Sequence, residues 1–177
     1  MRNIFIIFIY FISVSSSLAD QNSSRLDPLF KELTQIKNEL AADLILAEIW
    51  SIWSKTDNEM AQEIFDEGNQ LMSKGQFEES ILTFTEVIAL QPDFAEAWNK
   101  RATVYFFNGE FEKSIQDIEK TLSLEPRHFG ALDGLAQIYF LQDKFLKAAA
   151  TYEKLLQILP FSENAKRQLE RINGQFI

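Results

Sequence analysis

The chain holds one histidine and no cysteine, so little chemistry is open to it. His128 stands in Glu125-Pro126-Arg127-His128-Phe129-Gly130. A general base needs a reacting group within hydrogen-bond reach, and no serine lies beside it in sequence. A single imidazole cannot build a metal centre, which takes three or four protein ligands. Absence of cysteine removes disulfides, thiolate sites and a thiol nucleophile. No phosphate-binding loop or metal-ligand spacing is present. The carboxylate pairs Asp66-Glu67 and Glu78-Glu79 read as solvated faces, and Lys100-Arg101 as a solvated or ion-paired helix face. The expectation is a protein that is not an enzyme, with no cofactor and no metal. His128 is expected in a turn or capping role, with a partner contact made beside Arg127 as the alternative.

The elements that position these residues follow a period. Pro92, Pro126 and Pro160 are spaced 34 residues apart. The same shift superposes Phe77, Phe111 and Phe145; Leu71, Tyr105 and Tyr139; Ile64, Trp98 and Leu132; and Gly68, Ala102 and Ala136. One packing environment therefore recurs three times, over residues 61–94, 95–128 and 129–162. Trp98, Ala102 and Tyr105 share one helical face, as do Phe111, Ser114, Ile115, Ile118 and Leu122. Small residues at Gly68, Ala102 and Ala136, and at Ser80, Ser114 and Ala148, let paired helices approach closely. Gly75 and Gly109 suit a turn that needs positive φ. Asp93 followed by Glu96 reads as an N-cap with its capping box. Proline closes each unit because it cannot continue a helix interior.

This pattern resembles the tetratricopeptide repeat (TPR) family, whose unit reads W-x2-L-G-x2-Y followed by a small residue, an aromatic and a terminal proline. Trp98, Tyr105, Gly109, Phe111, Ser114 and Pro126 of the second unit fall on that motif. Arg101 and Glu67 replace its leucine, Asp143 its turn glycine, and Ser80 and Ser114 its alanine. The resemblance implies an all-α, right-handed solenoid of three helical hairpins with capping helices at both ends. It also implies a concave groove lined by the first helix of each repeat. Carried over, the groove positions are Phe65, Asn69 and Met72; Asn99, Thr103, Phe106 and Phe107; and Gln137, Phe140 and Leu141, with Gln62, Glu96 and Asp133 beside them. Such an apolar, aromatic floor suits a hydrophobic helix or an extended peptide. Chaperone-binding members grip a C-terminal carboxylate with basic and amide groups. Here Asn69 fits one such position, Phe65, Gly130 and Gly134 take three others, and Lys100 stands where asparagine is expected, so a free carboxyl terminus is a poor ligand.

The flanks differ in kind. Arg2, an apolar run from Ile4 to Ile12 and small residues at Ser17 and Ala19 fit a secretory signal peptide over residues 1–19, with an uncleaved anchor as the alternative. Residues 20–60 form a polar leader and two helices broken near Asn38. Leu40, Leu44, Ala47, Trp50 and Trp53 are expected on one packing face of a cap or degenerate repeat. Trp50 and Trp53 are also candidates for a second interface, since tryptophans anchor many interfaces. Residues 163–177 read as a capping helix and tail, which repeat arrays need. With 17 Lys and Arg against 26 Asp and Glu, the net charge of −9 disfavours nucleic acid and anionic lipid surfaces. The expected function is a non-catalytic protein- or peptide-binding scaffold of the bacterial periplasm. The alternative is a self-associating envelope protein with Trp50 and Trp53 at its interface.

Overall fold

The computed structural model describes residues 22–36 and 39–174, and among them nine helices and no strand. These are α1 (Leu26–Leu33), α2 (Glu39–Trp53), α3 (Glu59–Ser73), α4 (Phe77–Leu90), α5 (Ala95–Phe107), α6 (Phe111–Leu124), α7 (Phe129–Leu141), α8 (Phe145–Ile158) and α9 (Glu163–Asn173). The signal-peptide reading of residues 1–19 lies outside the described residues. Among the described residues no helix is long and apolar enough to cross a membrane.

Three hairpins, α3–α4, α5–α6 and α7–α8, stack in order, each first helix packing on the second helix of the hairpin before it. Their turns repeat bond for bond. The amides of Gln76, Glu110 and Lys144 donate to the carbonyls of Leu71, Tyr105 and Tyr139, at 3.0, 2.8 and 2.8 Å. The amides of Gly75, Gly109 and Asp143 donate to Met72, Phe106 and Phe140. This C-terminal capping motif needs a left-handed residue. Gly75 (φ 74°) and Gly109 (φ 77°) supply it freely, and Asp143 (φ 56°) supplies it with a Cβ attached.

Close approach within each hairpin comes from the small residues. A Cβ on Gly68 would lie 2.8 Å from Phe84 Cε1, so this position cannot carry a side chain without displacing a fully buried ring. The Ser80 hydroxyl donates to the Gly68 carbonyl at 3.0 Å, and the Ser114 hydroxyl to the Ala102 carbonyl at 2.8 Å. Both serines are completely buried. Within the second hairpin the Arg101 guanidinium of α5 grips Asp117 of α6 through two bonds, 2.7 and 2.8 Å, and it also reaches across to Thr85 of α4 in the first hairpin at 2.9 Å.

Helix starts depart from expectation at one point. Phe94, not Asp93, is the N-cap of α5, and no side chain caps it. Asp93 accepts instead from Gln91 Nε2 at 2.8 Å. Glu96 does not reach back as a capping box, because its carboxylate is drawn inward to His128 and Asn99.

The flanking helices close the two ends of the core. Ser162 caps α9, whose Ala165 and Ile172 are buried in one cluster with Tyr152 and Leu155 of α8. Along α1, Leu26, Phe30 and Leu33 pack against α2, and that cluster runs through Trp53 to Phe129 at the start of α7. The face α2 buries is Ala42, Ile45, Ile49, Ile52 and Trp53, whereas Leu40 and Leu44 are each 84% exposed. The expected stripe through Leu40, Leu44 and Ala47 is therefore not the packing face. This helix is apolar on most of its circumference, so periodicity alone does not select a side.

Candidate functional site

Two carboxylates on first helices lie inside the molecule, in opposite circumstances. Glu96, near the start of α5, is 1% exposed. Its Oε2 is 2.8 Å from His128 Nε2 and accepts from Asn99 Nδ2 at 3.0 Å. Lys100 Nζ stands 3.3 Å from Oε1 as an ion pair, without the direction of a hydrogen bond. His128 is completely buried, is the N-cap of α7, and accepts the Ala131 amide on Nδ1 at 3.1 Å. With Nδ1 accepting, the ring proton lies on Nε2 and is donated to Glu96.

Aromatic rings seal this pair. Trp53 stacks on the His128 ring, with centroids 4.3 Å apart and planes 11° from parallel. Trp50 meets His128, Phe129 and Trp53 edge-on. A Cβ on Gly130 would sit 2.8 Å from Trp50 Cη2, so glycine is what lets the indole reach α7. Arg127 fastens the outer edge, bonding Asp27 of α1 at 2.7 Å with its guanidinium 4.3 Å above the Phe30 ring. The sequence expectation of a capping role for His128 agrees with this geometry. Trp53, proposed as an interface anchor, is 1% exposed and consumed within the chain.

One turn further along α7 the setting changes. Asp133 Oδ2 accepts from Gln137 Nε2 at 2.7 Å, while Oδ1 is buried with no hydrogen-bond partner. Burial holds the Asp133 carboxyl above the ordinary range, against the pull of Gln137. Burial, and then the charge of Asp133, pushes the Tyr152 phenol up to about 12. Asp133 faces a pocket of about 230 Å³ whose walls are Asn99, Thr103, Phe106, Phe107, Gly130, Gly134 and Gln137, over a floor of Ala102, Ser114 and Ile118. A neighbouring hollow of about 390 Å³ shares Phe106 and Gln137 and adds Phe140, Leu141, Tyr152, Asn164, Gln168 and Arg171.

The structure thus gathers Asn99, Thr103, Phe106, Phe107, Gln137, Phe140 and Leu141 along one surface of α5 and α7. Phe107 and Leu141 are strongly exposed there. The first-repeat residues do not join them. Phe65 is 1% exposed and packs on Phe84 and Phe94, so it is core rather than groove. Met72 packs against the same cluster, and Asn69 bonds its own helix at the Phe65 carbonyl. Asn99 gives one amide proton to Glu96. Sequence reasoning missed Asn164, Gln168 and Arg171, because α9 reads only as a cap. Their i, i+4, i+7 spacing was the available signal.

Comparison with known proteins agrees with the fold. A TPR repeat model matches residues 68–109, and a tetratricopeptide repeat model matches residues 99–163. The two together span more than half of the chain, which belongs to the TPR family. A TPR repeat-containing protein of Rhizobium etli is 33% identical over 82 residues, covering 46% of this chain and 40% of that protein. The chain thus matches well under half the length of that relative. Among solved structures, the Sgt2 TPR domain from Aspergillus fumigatus superposes with a TM-score of 0.62 at 23% identity, over 67% of this chain and 80% of that one. The first TPR domain of Spaghetti (RPAP3), bound to an HSP90 peptide, gives 0.64 at 22%, over 68% and 95%. The type III secretion chaperone SycD of Yersinia enterocolitica, in complex with a peptide of the translocator YopD, gives 0.65 at 9%, over 68% and 98%.

Proposed function

We propose that this chain is a non-catalytic module that binds a protein or peptide segment along the surface of α5, α7 and α9. The observation that carries this reading is the pair of adjoining hollows sharing Phe106 and Gln137, with Phe107 and Leu141 exposed at their rim. Contiguous exposed apolar side chains ringed by amides are the usual mark of a peptide groove. That RPAP3 and SycD were solved with peptides is consistent with it. The groove is confined to the second and third repeats and the last helix. Its ligand is therefore shorter than three repeats would hold.

The setting we propose is the bacterial periplasm, reached through the signal peptide read in residues 1–19. Mass spectrometry of the protein recovered from a periplasmic extract tests this, with Asp20 expected as the first residue. The self-associating alternative is left with Trp50 alone of its two anchors, since Trp53 is spent on His128. Selection of random dodecapeptides on the full chain, repeated on a folded Phe106→Gln, Phe140→Gln variant, tests the binding reading. Peptides recovered on the wild type and lost on the variant support it. Peptides that bind both equally sink it.

A further inference from the structure

We propose that the pocket beside Asp133 receives a basic side chain, a lysine or arginine of the bound segment, whose cation pairs with the Asp133 carboxylate. This rests on the groove reading above and adds the chemistry of what enters it.

The carboxylate lines the pocket and, among the described residues, has neither a cation nor a second donor. Its Oδ1 is buried with no donor, while Oδ2 is held by Gln137. A buried carboxylate oxygen without a partner is strongly unfavourable unless something arrives to satisfy it. Among the described residues no basic one lines the pocket. Lys100, the nearest cation along α5, is committed to Glu96. Burial already lifts the Asp133 carboxyl, and an arriving cation would reverse that.

Shape points the same way. At about 230 Å³ the pocket is smaller than the roughly 300–1,000 Å³ of small-molecule sites, and suits one long side chain. Gly134 leaves it open next to the carboxylate: a Cβ there would meet only Ile118 Cδ1, at 3.7 Å. Phe106 and Phe107 form a wall against which an aliphatic stem lies, with ring faces that favour a cation. The net charge of −9 draws basic partners and repels acidic ones. A carboxylate ligand would meet Asp133 with like charge.

Two measurements on the full chain test this. In the first, n-butylguanidinium chloride is titrated into nitrogen-15-labelled protein, with n-butanol and sodium butyrate as neutral and anionic comparators. The expected result is saturable shifts of the Phe106, Gly130, Gly134 and Gln137 amides with the cation alone. Asp133→Asn should weaken that response about tenfold or more. An equal response from Asp133→Asn, or a stronger one to butyrate, overturns the proposal. In the second, the dodecapeptide selection is repeated on Asp133→Asn. Enrichment of lysine or arginine at one fixed position on the wild type, lost on this variant, is the supporting outcome. Peptides that need Phe106 and Phe140 but show no basic preference leave the groove standing and overturn this proposal. No peptides at all overturn both.

Discussion

Glu96 and Asp133 belong to the same layer of the array, on α5 and α7, yet the protein treats them differently. Around Glu96, His128 and Asn99 hydrogen-bond one oxygen, the Lys100 cation stands against the other, and Trp53 stacks on His128 as a lid. Asp133 has, among the described residues, one hydrogen-bonded donor, Gln137, with the Tyr152 phenol near enough to feel its charge and open volume beside it. A carboxylate paired with a cation and sealed under rings ties helices together. One left half-satisfied at the edge of a cavity is available to something else. The contrast teaches that burial alone does not separate the two acids; the charged partner supplied from within the chain does.

The comparison can be broken most forcefully at its sealed half. Trp53→Ala removes the ring that joins α2 to His128 and Phe129, and should lower stability by about 3–5 kcal/mol in urea denaturation. A loss below ~1 kcal/mol would mean the hairpin is not integral to the core. Gly130→Ala should destabilise by about 1–3 kcal/mol, since its methyl would collide with the half-buried Trp50 ring.

The open half should respond in the other sense. Asp133→Asn should leave stability at neutral pH unchanged or raise it by about 1 kcal/mol, because an unpartnered charge is removed. The sign with pH follows from the raised carboxyl. An acid held higher in the folded than in the unfolded chain binds more protons when folded. Its contribution therefore falls as pH rises between those two values. The gap between Asp133→Asn and wild type should then be present at neutral pH and close as pH drops through the usual carboxylate range. Denaturation curves at a series of pH values decide it, and a gap that widens toward acid contradicts the assignment. Smallest of all, Gly134→Ala should stabilise by up to ~1 kcal/mol, since its Cβ meets only ordinary contact and alanine favours helix. Two glycines one turn apart on α7 would then give opposite signs.

Much of the architecture was legible in sequence because it rests on local rules. The spacing of Leu71, Tyr105 and Tyr139 reflects carbonyls that each receive the same turn amide, and Gly75, Gly109 and Asp143 mark the left-handed residue. That Asn99, Thr103, Phe106, Phe107, Gln137, Phe140 and Leu141 share one surface was legible from the same repeat register. Three features were not. Phe65 occupies a groove position by register, but Phe94, the last residue of its own repeat and the N-cap of α5, packs on it, a contact that register does not encode. The face of α2 was ambiguous because leucines and isoleucines surround the helix, and only docking chooses Ile45 and Ile49 over Leu40 and Leu44. Glu96 matched a capping motif that tertiary structure overrode, since the imidazole that claims it lies 32 residues away.

The Arg127–Asp27 bond joins residues separated by 100 positions. Linear arrays normally fold by adding neighbour to neighbour, so they can unravel piecemeal from either end. Here the leading hairpin is tied to the junction of the second and third repeats, and the intervening first repeat is enclosed within that loop. Closing so long a loop slows the search for the native state. In exchange the first repeat has no free end from which to fray, being held between Trp53 on His128 and α5. The expected consequence is one cooperative unfolding transition across the described helices, with amides of α3 and α5 exchanging hydrogen together rather than in sequence.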